Sequence, residues 1–337
     1  MRILLVNGDF TMSGASLMLL WLAEHLKSSG HELAVMAINR EHGPIKDDYL
    51  KRGIAVDERM APGDADVAIC NSIAAAEMVT RIAPHAKTIW WIHEAETGLA
   101  LLLQNPSWIR AFHDASLVVF QHAAQRDAVY RSFIYGLDPH KFRLIPNGIS
   151  FDPSSIVPQK PGRMRVVAIG TVAPRKRQGD IIRAVHALKN TEVECVIIGK
   201  VLYLSDHDKA IVARSPERFR LLGELPNDEA RSWLKSADVF CQCSETESQP
   251  IALLEAACLG LPLIVSNLWA YHGVWRHGIN CLAHPIGDVE LLAYLIEILT
   301  SNPRMRERLG QAAKKTAENF RQDMLFSQFD LLLRELS

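Results

Sequence analysis

The sequence predicts an α/β protein of two domains, each built on a mostly parallel sheet with helices on both faces. Three observations carry this. The 337 residues exceed one comfortable hydrophobic core. Short apolar runs alternate with amphipathic helical patterns, the order that parallel sheets require. A stretch of Pro/Ser character, Asp152-Pro153 through Gly162, divides the chain near its middle. The expected division is a first domain at 1–155, a linker at 156–163, a second domain at 164–320 and a terminal helix at 321–337.

The first domain is read as strands at 2–7, 31–38, 54–58, 66–71, 87–93, 116–121 and 142–146. Met1-Arg2-Ile3-Leu4-Leu5-Val6-Asn7 is too short an apolar run for a secretory signal and suits a buried first strand. The helix Ala15 to Lys27 places Leu19, Leu22, Ala23 and Leu26 on one stripe, as core packing demands. Between strand and helix, a dinucleotide fold would want Gly-x-Gly-x-x-Gly and an acid closing the second strand. Here the loop carries only Gly8 and Gly14, and the second strand ends Ala37-Ile38-Asn39, so no nicotinamide cofactor is expected. Trp90-Trp91-Ile92-His93-Glu94 ends a strand at the carboxyl edge, where open α/β sheets bind ligands. That position singles out His93, whereas the two tryptophans point to opposite faces as packing and the role of Glu94 stays open.

The second domain opens with the buried strand Arg165 to Gly170, and further strands are read at 194–199, 219–222, 239–244, 262–266 and 280–284. After the first of them come Arg175-Lys176-Arg177, three cations at a helix start, the end whose dipole already repels them. An anionic ligand would resolve that conflict. Asp238 to Ser266 reads as strand, polar turn, helix and strand, with Glu247 in the turn and Glu255 inside the helix. Pro250 fits the first helical turn, Ser248 is the nearest capping residue, and Gly260 with Pro262 ends the helix. Free N–H groups at such a helix start suit a phosphate. Amphipathic helices follow at 288–300 and 303–320, and the last carries the stripe Leu325, Phe329 and Leu332.

Composition narrows the function. The chain is 48% hydrophobic and 22% charged, as in soluble globular proteins. Lys+Arg 37 against Asp+Glu 38 leaves no field to draw nucleic acid. No apolar run approaches a membrane span, and six scattered cysteines show neither zinc nor disulfide spacing. A cytoplasmic protein is expected, with at most peripheral membrane contact through helical cations Arg110, Arg126 and Arg131. Two Asp-x-Asp tripeptides, Asp64-Ala-Asp66 and Asp206-His-Asp208, lack an adjoining donor pocket, so no catalytic metal is expected.

Glu247 and Glu255, with seven residues between them and followed by Gly260-Leu261-Pro262, resemble the signature of the family 4 retaining glycosyltransferases. The resemblance covers nearly the whole chain, most strongly residues 165–266, and implies the GT-B fold: two Rossmann-like domains facing across a cleft, with the terminal helix crossing back to the first. It implies a nucleotide diphospho-sugar donor, a glycan, lipid-linked or small-molecule acceptor, and no further cofactor. On this likeness Glu247 lies by the donor sugar, Glu255 hydrogen-bonds the ribose, Lys176 holds the diphosphate and His93 makes polar contact with the sugar. Ser13-Gly14-Ala15 is similar to the family's Gly-Gly turn, which makes Gly14 a donor contact, and Gly199 and Leu222 to Leu225 fall where family loops meet the base. The family arginine after the glycine is Thr171 here, with Arg175 as its candidate substitute. Ser248, Gln249 and Ile251 stand in the donor loop, where Pro250 replaces a residue bearing an N–H. A non-catalytic nucleotide-sugar-binding protein, or an epimerase or phosphorylase on the same fold, remains the alternative.

Overall fold

A computed structural model describes residues 1–39, 43–56, 62–150 and 162–337. Two units form, one from Met1–Gly148 with Gln322–Ser337 and the other from Ile149–Arg321. Both are α/β with wholly parallel sheets.

The first unit holds β1 (Arg2–Asn7), β2 (Glu32–Ala37), β3 (Ala55–Val56), β4 (Val67–Asn71), β5 (Lys87–Trp91), β6 (Leu117–Phe120) and β7 (Phe142–Leu144), in the order β3-β2-β1-β4-β5-β6-β7. Residues 57 and 58 of the expected third strand lie outside the described residues. Helices on both faces explain why β4 is buried throughout and why Leu4, Leu5 and Val6 are fully covered. The helix Gly14–Ser28 is capped by Ser13, whose side chain accepts from the Ser16 N–H. Trp90 packs on Phe112 with ring centroids 4.8 Å apart, and Trp91 on Phe329 at 4.7 Å. Phe329 belongs to the last helix, Gln322–Leu336, which buries Leu325, Phe326, Phe329, Leu332 and Leu333 in this unit. Polar ties at its edge are His25 to Asp330 at 2.9 Å and Arg143 to Glu335 at 2.6 Å.

The second unit holds β8 (Met164–Ile169), β9 (Val193–Ile198), β10 (Phe219–Leu221), β11 (Val239–Gln242), β12 (Leu263–Ser266) and β13 (Leu282–His284), in the order β10-β9-β8-β11-β12-β13. Ile181 and Val185 of helix Gln178–Ala187 meet Leu292 and Ile296 of helix Val289–Ser301 in one core. In each sheet the winding reverses between the first strand and a later one: β1 beside β4, and β8 beside β11. Ligands of open α/β sheets gather at the carboxyl ends of such strands.

Two expectations need correction. The chain passes from the first unit to the second at Gly148–Ile149, where 155 was expected, and returns at Arg321–Gln322. Ile149 pairs with Arg321 in a parallel bridge, its N–H donating to the Phe320 carbonyl at 2.9 Å, and this draws Ile149 into the second unit. The expected linker lies outside the described residues apart from 162 and 163. The helix after Glu247 runs Ile251–Cys258, with Pro250 rather than Ser248 at its extended N-cap position. Proline disfavours helical backbone at Gln249, and the helix starts only past the ring.

Candidate active site

The carboxyl ends of β8 and β11 bring a cation and an acid together. After β8 the chain makes one tight turn, Pro174–Lys176, before helix Gln178–Ala187. After β11 it enters the polar turn that holds Glu247. Lys176 Nζ donates to Glu247 Oε1, which also accepts from Ser244 Oγ at 2.6 Å and from Gln242 Nε2 at 3.0 Å. The two side chains are only 14% and 9% exposed, so this is a desolvated pair rather than a surface contact. Burial pushes the Glu247 carboxyl up, but the Lys176 charge, hydrogen bonds from Lys176 and Ser244, and the Arg175 charge together hold it below its ordinary value. Tyr271 is buried beside this group, and its hydroxyl has no hydrogen-bond partner among the described residues. Burial first, then the negative charge of Glu247, raises that phenol well above its usual range.

The other two cations behave differently from Lys176. Arg177 sits at φ 52°, a left-handed position rare for a non-glycine residue, and is neutralised by Asp180 at 2.7 Å and Glu245 at 2.7 Å. Its charge is answered within the protein and needs no ligand. The Arg175 guanidinium is exposed and lies 3.5 Å from the Thr246 carbonyl. Its own carbonyl accepts from the Glu245 N–H at 2.7 Å, tying the two loops together. Glu255, fifth residue of its helix, accepts from Arg231 Nε at 2.8 Å and is 8% exposed. Arg231 was not singled out from the sequence, since its helix Asn227–Lys235 reads as an ordinary solvated one. Ser248 and Ile251 are buried between these groups and Gln249 is half-buried. Gly199 has φ 145°, and a Cβ there would meet the Gly170 carbonyl oxygen at 2.2 Å, so this glycine serves close approach of the loops after β8 and β9. Of the Asp-x-Asp pairs, Asp208 is held by Arg183 at 2.7 Å and Ser205 at 2.6 Å, and Asp66 by the Arg2 N–H at 2.8 Å.

His93 and Gly14 lie in the first unit, apart from Lys176, Glu247 and Glu255 in the second. A row of polar side chains closes the carboxyl edge of the first sheet: Asn7 at the end of β1, Asn71 at the end of β4, His93 after β5, Gln121 after β6 and Asn147 after β7. Asn71 Nδ2 donates to Asn7 Oδ1 at 3.1 Å, and Asn71 Oδ1 lies 2.8 Å from His93 Nε2. Gln121 Nε2 lies 2.9 Å from both His93 Nδ1 and Asn147 Oδ1. An amide N–H at Nδ1 and a carbonyl oxygen at Nε2 fix one tautomer, with the proton on Nε2. Burial lowers the His93 imidazole to about 3, the Asn147 hydrogen bond opposing it, so the ring is neutral near pH 7 and cannot serve as a free base. Glu94 Oε2 accepts from the Ile73 and His93 N–H groups at 2.9 and 3.2 Å, while Gln125 and Tyr130 hold its carbonyl at 2.7 and 3.0 Å. Burial raises the Glu94 carboxyl despite those donors. These bonds tie the turn after β5 to the segment after β4.

Two family models match: that of glycosyl transferases group 1 over residues 154–316, and that of glycosyl-transferase family 4 over residues 1–100. The chain belongs to glycosyltransferase family 4. It is 25% identical to the phosphatidyl-myo-inositol mannosyltransferase of Mycolicibacterium smegmatis, over 90% of this chain and 85% of that one. It is 29% identical to the Mycobacterium leprae protein of the same name and 26% to the amylovoran biosynthesis glycosyltransferase AmsK of Erwinia amylovora, but these matches span 51% and 50% of those proteins. Anabaena Alr3699/HepE, solved in complex with UDP and glucose, superposes with a TM-score of 0.81 over 99% of this chain and 100% of that one at 17% identity. The two Rossmann-like units of this family 4 member are thus those of GT-B proteins.

Proposed function

We propose that this chain is a retaining glycosyltransferase that takes a sugar from a nucleotide diphospho-sugar and passes it to an acceptor, without a catalytic metal. The observation that carries the reading is the buried Lys176–Glu247 pair at the point where the second sheet reverses. A diphosphate placed there would share the Lys176 ammonium, and Glu247 would keep Ser244 and Gln242 as donors while turning toward the sugar. The acceptor oxygen forms the new bond to the anomeric carbon on the face from which the diphosphate leaves. The old carbon–oxygen pair goes to the phosphate, whose oxygen takes the acceptor proton. Lys176, with the exposed Arg175, offsets the charge that grows on the departing group. Glu255, held by Arg231, stands one helical turn further in, suited to a ribose.

The nucleotide complexes of HepE with UDP and with UDP-glucose support a nucleotide-sugar donor. The relatives named for phosphatidyl-myo-inositol support a membrane-associated acceptor less directly. Arg110 and Arg126 are paired with Asp114 and Asp127, and no helix among the described residues is long and apolar enough to cross a membrane. A thermal-shift panel of UDP-, GDP- and ADP-sugars tests the reading, because a ligand raises apparent stability by mass action. At least one should stabilise the protein, and Lys176→Ala should abolish the shift. Glu247→Gln should keep nucleotide binding yet lower transfer by about 100-fold or more, the scale of losing a charge aimed at the reacting centre. Transfer should survive EDTA. Sugar release without any acceptor, or strict dependence on inorganic phosphate, would replace this reading with an epimerase or a phosphorylase.

A further inference from the structure

Arg177 is one of two non-glycine residues at positive φ among the described residues, and the other, Ser72, belongs to the first unit. A residue with a Cβ holds such backbone at a cost, and it persists only where its surroundings fix it. Glycine would meet the need of the backbone alone. The arginine adds a guanidinium.

That guanidinium is a fork with both prongs set. Nε and Nη2 face Asp180 at 2.7 and 3.4 Å, and Nη1 donates to Glu245 Oε1 at 2.7 Å. The Asp180 side chain is 3% exposed and takes a further bond from Arg183, which is itself locked on Asp208 at 2.7 and 2.9 Å. A Cβ at Gly287 would meet Arg177 Nη2 at 2.9 Å, so the turn before helix Val289–Ser301 closes on the same group. One side of the fork is thus anchored at the start of helix Gln178–Ala187. A planar head placed in this way loses little further freedom in holding Glu245.

Glu245 stands two residues before Glu247. The turns after β8 and β11 are joined here at successive points. The Glu245 N–H donates to the Arg175 carbonyl at 2.7 Å, Lys176 holds Glu247, and Arg177 holds Glu245. On the proposed reading the Lys176 ammonium is shared with a diphosphate. Its hold on Glu247 weakens just when the Glu247 turn has to keep its place. Arg177 stands outside that exchange, because its partners are two carboxylates of the protein.

We propose that Arg177 is a positioning residue: it keeps the Glu245–Glu247 turn beside Lys176 while Lys176 passes from Glu247 to the diphosphate. The inference rests on the proposed glycosyl transfer and gives a holding role to a cation outside the reacting groups.

The Glu245 side chain is 45% exposed, and a pair of that kind adds little to global stability, so the measurement has to be local. Hydrogen exchange on the intact chain, read by mass spectrometry in the peptide carrying residues 244–249, reports local opening. Arg177→Gly suits the backbone and removes the fork, while Lys176→Met removes the other hold and keeps an apolar stem. Either variant alone should leave exchange of that peptide within about threefold of the parent, because the second tie remains. Together they should speed it by about tenfold or more, with helix Val289–Ser301 exchanging as before. Arg177→Lys in place of the glycine keeps a charge but cannot span both carboxylates, and should recover part of the protection. If Lys176→Met does not fold, Glu247→Gln weakens the same pair from its other side. A double variant whose effect is no more than the two single effects combined overturns the proposal. So does a speed-up of about tenfold in Lys176→Met with Arg177 intact. The comparison uses no nucleotide, so its failure is told apart from failure of the glycosyltransferase reading, which the thermal-shift panel measures.

Discussion

At the residue scale, the neutrality of His93 has a consequence for acid stability. Its imidazole is lowered to about 3 from an ordinary 6.5, mainly by burial. The unfolded chain therefore binds a proton here that the folded chain refuses. The contribution of this residue to stability is complete above pH 6.5 and is lost as pH falls from 6.5 toward 3. His93→Gln should flatten that part of the stability curve, measured by urea unfolding at a series of pH values. An unchanged slope would mean that the ring is solvated and titrates freely. Glu247 follows the same direction at lower pH: its lowered carboxyl adds stability above about 4.5 that disappears as it is protonated. The two acid limbs should separate in the single variants.

At the element scale, the helix carrying Glu255 is set by a close crossing. Gly310, in the middle of helix Pro303–Ala317, touches the turn that ends helix Ile251–Cys258: a Cβ at 310 would meet the Gly260 carbonyl oxygen at 2.0 Å. Gly260 itself has φ 75° and closes its helix in the left-handed conformation. Gly310→Ala must push these helices apart, which should cost about 1–3 kcal/mol. The melting temperature would fall by roughly 2–4 °C for each of those kcal/mol. Nucleotide affinity should fall with it, because the displaced helix carries Glu255 away from Arg231. Calorimetry of the variant beside nucleotide titration measures both, and a stable variant with normal affinity would show that the helix can shift without cost.

At the scale of the whole molecule, the fold was far more legible than the site. Strands buried on both faces write themselves as continuous apolar runs, so Ile3 to Val6, Val166 to Ala168 and Leu263 to Val265 were visible without any partner. Strand ends were less so, because Leu144 and Leu221 sit where burial runs out. Lys176 and Glu247 stood out singly, since each follows a strand with the chemistry a ligand needs. What one dimension could not show is who answers each charge. Arg177 looked like a ligand for an anion until Asp180 and Glu245 appeared beside it. Asn71, Gln121 and Asn147 carry no local signal, and only the sheet lines them up around His93. The terminal helix offers a test at this scale. Ending the chain after Arg321 removes Phe326 and Phe329 from the first unit, and two buried aromatics at about 3–5 kcal/mol each are a large share of any domain's stability. The shortened chain should lose the first unit's melting transition and keep the second's, read by calorimetry; survival of both would show the helix to be dispensable.

The order in which this chain leaves the ribosome makes that helix a matter of timing. The first unit is encoded at both extremes, with the whole of the second unit translated in between. At roughly 5–20 residues per second, that interval is on the order of ten seconds or more. Throughout it, the nascent first sheet waits with the Trp91 face uncovered, while the second unit has all its residues and is free to fold. The half made first is finished last, and a holdase that covers an aromatic surface would find its client in that window.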